Sequence, residues 1–299
     1  MKILSFGSMN IDNTYSVDEF VQPGETMTAK NLSKFCGGKG LNQSIALAAA
    51  GADVAHFGCV GEDGDILLDM LKSRGVNTDS VIKIDNITSG HAIIQVDSHG
   101  QNSILLYPGA NRRMTPELID RELEKYSCGD WLLIQNETNC LEYIMRAANK
   151  KGMKIALNPS PMDGTVSTLP LELVDLFLVN EIEGAAVTGK EITEEITAEF
   201  EKLFPNAAVI LTLGKKGSVF KSEKDMLFQP SYCGTVKDTT GAGDTYTGFF
   251  IANYIKGVSP QECMRIAAMA STVQISRDGA AIAIPTKQEV LNALKNYCR

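Results

Sequence analysis

The sequence predicts an α/β fold with a mostly parallel sheet, and three observations carry that prediction. Short apolar runs alternate with segments of helical periodicity through most of the chain. Two stretches, 14–36 and 84–107, break the alternation with β-branched and polar residues around turns such as Pro23-Gly24 and Ser98-His99-Gly100. Late in the chain, Gly241, Ala242 and Gly243 form a small-residue turn that opens a helix, with the carboxylate of Asp244 directly behind it. At 299 residues and 44% apolar content the chain can bury a substantial core, in one large domain with a small appendage.

Taken in order, apolar runs at 2–6, 54–58, 131–135, 154–158, 176–179 and 208–213 read as core strands. Helices fall between them. The segment 40–50 follows a Gly-rich turn, and 66–73, 141–150 and 197–203 place apolar residues at helical spacing. The last third closes with helices at 242–255, 260–275 and 288–297. The two interrupting stretches read as extra strands that could pair into one small sheet beside the main domain, a candidate lid over a pocket.

Composition removes several classes of function. A formal net charge of −8 argues against nucleic-acid binding through a broad basic face, which needs clustered Lys and Arg. Seven cysteines form no Cys-x-x-Cys pair, and their odd count fits reduced thiols better than a disulfide framework. Three scattered histidines make a His-based zinc site or catalytic triad a poor fit. The apolar run at the N-terminus is too short for a signal peptide, and no run is long enough to span a membrane. The expectation is a cytoplasmic protein without nucleic-acid or membrane partners.

The chemistry-bearing segments are Gly-rich. The backbone N–H groups of Gly241, Ala242 and Gly243 can approach an anion closely, and a helix N-terminus favours negative charge there. Asp244 beside such a cradle suits a base that takes the proton of a hydroxyl attacking phosphorus; a capping aspartate is the simpler alternative. Residues 184–190 imitate a Walker phosphate loop, but Glu191 stands where Ser or Thr should hold Mg²⁺, so this stretch reads as a helix ending at Gly189. Gly-x-Gly-x-x-Gly occurs nowhere, so a dinucleotide-binding dehydrogenase lacks its fingerprint. Gly37-Gly38-Lys39-Gly40-Leu41-Asn42 is a second Gly-rich turn into a helix, offering a cation and an amide to a polyhydroxylated ligand, or only a tight turn with a solvated lysine. Asn10 and Asp12 follow the first strand on the same side of an extended segment, where they suit sugar hydroxyls or an Asx turn.

In this order, with Gln43 closing the 37–42 signature and with Pro23-Gly24-Glu25-Thr26, Pro108-Gly109-Ala110-Asn111, Asn158-Pro159-Ser160-Pro161, Asn180-Glu181-Ile182-Glu183, Thr212-Leu213-Gly214-Lys215-Lys216-Gly217 and Asp238-Thr239-Thr240 before the Gly-Ala-Gly turn, the segments resemble the ribokinase-like family of sugar and nucleoside kinases over nearly the whole chain. The resemblance implies a large Rossmann-like α/β domain with a small β-sheet lid, ATP as donor, and a sugar as acceptor. Asp244 would be the base, with Gly241, Ala242 and Gly243 as the anion hole. Asn10, Asp12, Gly38, Lys39, Asn42 and Glu137 would hold the sugar together with Asp244. Ribose is the first acceptor implied, and ribose 5-phosphate the product. Asn180 and Glu183 would help arrange Mg²⁺ and phosphates, and Thr212, Gly214, Gly217 and Gly243 would lie along the nucleotide.

The resemblance also places Asp238, Thr240, Gln274, Arg277 and Gly279 around a monovalent cation such as K⁺, and implies a homodimer formed through the lid. Two departures from the family pattern stand out: Ala268, where a polar side chain often lies near the adenine, and Ala283, where a hydroxyl often reaches the cation. His91, where an apolar residue is more usual, keeps open another sugar such as 2-deoxyribose or fructose, or a nucleoside, as acceptor. A catalytically silent sugar-binding regulator is the alternative from another class, and the retained Asp244 counts against it.

Overall fold

The computed structural model of the protein describes residues 1–297; Cys298, one of the seven cysteines, lies outside them. The strands are β1 (Ile3–Phe6), β2 (Asn10–Ser16), β3 (Asn31–Gly37), β4 (Val54–Val60), β5 (Val81–Lys83), β6 (Gly90–Val96), β7 (Asn102–Tyr107), β8 (Trp131–Gln135), β9 (Lys154–Asn158), β10 (Leu176–Asn180), β11 (Ala208–Thr212), β12 (Ser218–Lys221) and β13 (Met226–Gln229). The helices are α1 (Lys39–Ala49), α2 (Asp65–Ser73), α3 (Pro116–Leu123), α4 (Leu141–Lys150), α5 (Glu181–Thr188), α6 (Thr193–Leu203), α7 (Ala242–Tyr254), α8 (Pro260–Ile275) and α9 (Lys287–Tyr297).

Nine strands form the main sheet in the order β13-β12-β11-β10-β9-β8-β1-β4-β5. The seven from β11 to β5 run parallel, and β12 and β13 add an antiparallel edge. Burial along β1 and β8 is unbroken, as expected of strands covered on both faces. Alternate residues serve different layers: Ile3, Leu133 and Ile210 pack with α1, α7 and α8, whereas Leu4, Leu132 and Val209 pack with α3, α4 and α6. Strand order reverses between β1 and β8, which opens a crevice at the carboxyl ends of those strands, the place where open α/β sheets bind ligands.

The second sheet has the order β3-β2-β6-β7, with β2 and β6 parallel and the outer pairs antiparallel. Both 14–36 and 84–107 contribute strands to it. Its first strand begins earlier than the sequence suggests, at Asn10, so Asn10 and Asp12 belong to this sheet and pair with Gly37 and Phe35 of β3. Both faces carry exposed apolar side chains, Leu32, Ile93 and Leu105 on one and Phe35, Ile104 and Leu106 on the other, which is also the face of Asp12.

The six expected core strands and the seven expected helices are present, four of them with the expected bounds and the others with ends shifted by a few residues. Among the unforeseen elements is α3, which starts at Thr115 as N-cap with Pro116 in the first turn, a signal visible in the sequence. Strands β12 and β13 span only four residues each, too few for periodicity to separate them from loop. The Walker-like stretch lies on α5 and its left-handed C-cap, Gly189, as its failed serine position implied.

Candidate active site

The site is assembled by the N-terminal ends of α1 and α7, which lie side by side. Gly241 is the N-cap of α7 at φ 76°, a left-handed conformation that suits a residue without Cβ, and it turns the chain so that α7 points its first turn into the crevice. Asp244 sits in that turn and is buried. One turn further, Gly248 lets the helices touch: a Cβ there would lie 2.4 Å from the Ala46 Cβ and 2.7 Å from the Leu47 nitrogen. Ala46 is one turn beyond Asn42, as Gly248 is one turn beyond Asp244, so this contact sets the distance across which Asn42 Nδ2 donates to Asp244 Oδ2 at 3.0 Å. In the sequence Gly248 carries no signal beyond being a glycine inside a helix.

Asp244 Oδ1 accepts a second bond, from Gln43 Nε2 at 2.9 Å. On the neighbouring side, Lys39 opens α1, and its backbone N–H donates to Glu137 Oε2 at 3.0 Å. Ser8 Oγ donates to the same carboxylate. Burial works against the Lys39 ammonium, yet the carboxylates of Asp244, Glu137 and Glu183 outweigh it and hold its pKa above the ordinary value. Asp12 meets the opposite situation, since burial and then the charge of Glu137 push its pKa up from 3.8 to about 6. Asn10 is buried, and its Oδ1 accepts from Asn111 Nδ2 at 2.8 Å. Asn111, named above only as part of a motif, thus orients a candidate ligand group.

The crevice continues past Asp244 as two adjoining cavities. One, about 220 Å³, is lined by Lys39, Asn180, Glu183 and the 241–244 turn. The other, about 560 Å³ and more apolar, is lined by Thr212, Gly214, Gly217, Tyr232, Ala268 and Thr272. They share Thr212, Ala242 and Gly243 as walls, so an elongated ligand with an anionic middle would fit along both. Asn180 and Glu183 form a capping box at α5: Asn180 Oδ1 accepts from the Glu183 nitrogen at 2.9 Å and Glu183 Oε2 from the Asn180 nitrogen at 3.0 Å. In the turn itself, the Ala242 N–H donates to the Thr239 carbonyl at 3.2 Å.

Asp238, Thr240, Gln274, Arg277 and Gly279 converge behind the turn. Asp238 accepts from the nitrogens of Thr240 and Gly279 at 2.9 and 3.0 Å. Burial alone would raise its pKa, but the Thr240 hydroxyl and these two bonds hold it below the usual value. Gln274 Nε2 donates to the Thr240 carbonyl, while its buried Oε1 has no partner. The Arg277 guanidinium turns away to Glu289, so its contribution here is backbone. His91 is part-buried on β6 against the Tyr107 ring, 5.1 Å between centroids. Among the described residues no group of three or more His, Cys, Asp or Glu side chains could hold a metal ion by itself.

The sequence profile described as pfkB family carbohydrate kinase matches residues 1–287. Ribokinase of Haemophilus influenzae is 34% identical over 298 residues, covering 97% of each chain. Deoxyribokinase of Salmonella typhimurium is 30% identical, again over 97% of each. The structure of Arabidopsis thaliana ribokinase complexed with ribose and ATP superimposes with a TM-score of 0.85 at 30% identity, covering 98% of both chains.

Proposed function

The chain belongs to the pfkB family of carbohydrate kinases, and from that premise we propose that it transfers the γ-phosphoryl group of ATP to the 5-hydroxyl of ribose. The observation that carries the reading is Asp244, buried at the helix-opening turn, where a base and an N–H cradle face one crevice. Asp244 takes the hydroxyl proton as the new O–P bond forms. The bond from the γ-phosphorus to the bridging oxygen breaks, and its electron pair leaves with ADP. Gly243 and its neighbours Gly241 and Ala242 present N–H groups to the charge on the transferring phosphoryl. Ala242 would first release its bond to Thr239.

Asn10, Asp12, Gly38, Lys39, Asn42 and Glu137 hold the sugar in this reading, supported by the charges of Glu137 on both Lys39 and Asp12, the close approach of Gly38 to Asn10 and the bond from Asn42 to Asp244. Thr212, Gly214 and Gly217 lie along the nucleotide, and the larger cavity takes its base, with Ala268 leaving that wall apolar. Asn180 and Glu183 are engaged with each other, which fits Mg²⁺ held mainly by phosphates and water. When bound there it would supply positive charge that offsets the charge of the phosphates.

Asp238, the Thr240 carbonyl and carbonyls at Gln274, Arg277 and Gly279 would hold K⁺. The unpartnered Gln274 Oε1 offers a spare acceptor, and Ala283 withholds one. Equal turnover in K⁺ and Na⁺ would remove that site. The exposed apolar residues of the small sheet, Leu32, Ile93 and Leu105 on one face among them, support a homodimer through a lid formed by 14–36 and 84–107, and sedimentation at the mass of one chain would refute it. Among the described residues the six cysteines are all free thiols, which supports a cytoplasmic setting.

The test is phosphorylation of a panel of pentoses, hexoses and nucleosides with ATP. Ribose should be turned over with the highest kcat/KM. The deoxyribokinase similarity makes 2-deoxyribose the acceptor to compare it with, and a higher kcat/KM for that sugar would reassign the substrate.

A further inference from the structure

The back of the Asp244 carboxylate is gripped by a run of buried amides that none of the roles above requires. Gln43 is fully buried at the start of the second turn of α1. Its Nε2 carries two hydrogens and spends both, on Asp244 Oδ1 at 2.9 Å and on Asn158 Oδ1 at 3.1 Å. Its Oε1 accepts from Gln135 Nε2 at 2.8 Å.

The direction of each amide is dictated by a group that has no alternative. Asn158 Nδ2 donates to the backbone carbonyl of Leu178 at 2.8 Å, and a carbonyl can only accept. Asn158 must therefore turn its oxygen to Gln43, and Gln43 must turn its nitrogen to Asn158 and Asp244. A flipped Gln43 would set its oxygen against the carboxylate and against the Asn158 oxygen, leaving buried acceptors facing each other. The ends of β8, β9 and β10 thereby fix a side chain on α1, which in turn fixes the base on α7.

The other oxygen is held differently. Oδ2 accepts from Asn42, whose own buried Oδ1 has no partner, so a ligand hydroxyl can draw that amide away.

We propose that Gln43 is a positioning residue for phosphoryl transfer: it clamps Oδ1 of Asp244 throughout the reaction and so leaves Oδ2 as the oxygen that takes the acceptor's proton. The inference rests on the kinase reading above. In the step, the acceptor O–H bond breaks and an Oδ2–H bond forms, while the phosphorus exchanges its bridging oxygen for the acceptor oxygen. Gln135 and Asn158 act one bond further back, by holding the Gln43 amide.

Steady-state kinetics of the full-length protein test this with whichever panel sugar the wild type phosphorylates. Gln43→Met keeps the length of the side chain and removes the donor. Its kcat should fall about 10- to 100-fold, as displacement of a base by a fraction of an ångström to an ångström would cause, with KM for sugar and ATP within about threefold of wild type. Gln43→Glu sets a second carboxylate against the first, and two such groups cannot both ionise freely, so the acid limb of the pH–kcat profile should move up by about one unit or more. The charged groups facing this corner are Lys39 of α1, Glu137 beyond β8 and Glu183 of α5, and neither substitution alters them. Wild-type kcat in Gln43→Met, a loss carried by KM instead, or an unmoved acid limb in folded Gln43→Glu would each overturn the proposal. If Gln43→Met does not fold, Gln135→Leu replaces it, with a smaller fall in kcat expected and wild-type kcat again overturning. A wild-type protein that phosphorylates no sugar would instead overturn the kinase reading itself.

Discussion

Asp244 and Asp12 are carboxylates in one crevice, and their surroundings are opposite. Asp244 lies at the start of α7 with one oxygen on Gln43 and the other on Asn42. Asp12 lies on β2 of the small sheet; among the described residues nothing donates to its carboxylate, and Glu137 faces it with a like charge. The protein supplies the partners of the first, and on the proposed reading, with Asp244 as base, those of the second come from the sugar. A base must be aimed before the substrate arrives, because an aimed group needs no reorganisation during the reaction. A recognition group gains selectivity when only the right hydroxyls satisfy it.

The sharpest way to break this comparison is to remove the base. Asp244→Asn should lower kcat by about 10²–10⁴-fold, the usual cost of losing general-base catalysis, with ATP affinity by calorimetry little changed. A folded variant with near wild-type turnover would place the proton elsewhere. Asp12→Ala should act on the other side of the comparison, raising KM for the sugar by about 10- to 100-fold, the equivalent of ~1–3 kcal/mol from a lost charged hydrogen bond, with KM for ATP hardly altered. Equal effects on both substrates would move the sugar pocket away from β2.

A smaller effect should appear in stability. The folded-state pKa of Asp12 lies above its ordinary 3.8, at about 6, so the group's favourable contribution is complete below about 3.8 and is lost as pH rises through about 6. Ligand-free Asp12→Asn should therefore be more stable than wild type at pH 7–8, by ~1–3 kcal/mol for a shift of this size, and the gap should close as pH is lowered from 6 towards 4. Denaturant melts at several pH values measure it. A gap independent of pH would mean that the strain at Asp12 is not electrostatic. Added ribose should also narrow the gap at pH 7–8, since it supplies the missing donors to the wild type alone.

Much of the framework was legible in the chain. The strands β8 and β9 and the helices α4 and α8 match their expected bounds residue for residue, because their apolar spacing is strong and their ends carry turn residues. Residues 184–190 were legible as a decoy, since a phosphate loop needs a strand before it and a hydroxyl after it. The small sheet was harder to delimit: β2 begins four residues earlier than expected, because Asn10 and Asp12 are polar and a polar strand start resembles a loop.

The sequence by itself determined the sheet, its helical layers, the helix-opening turn at 241–243 and the carboxylate behind it, because propensity, periodicity and turn chemistry act between residues close in the chain. Only the tertiary structure decided which polar groups face one another. Gln43 meets Asp244 across 201 positions and Gln135 across 92, and Asn10 meets Asn111 across 101. Nothing local distinguishes those amides from any other Gln or Asn. The direction of Gln43 follows from a carbonyl on β10 and that of Asn111 from the backbone of Met9, while the reach of Gln43 to Asp244 follows from the missing Cβ of Gly248, where two helices close to the distance of a hydrogen bond.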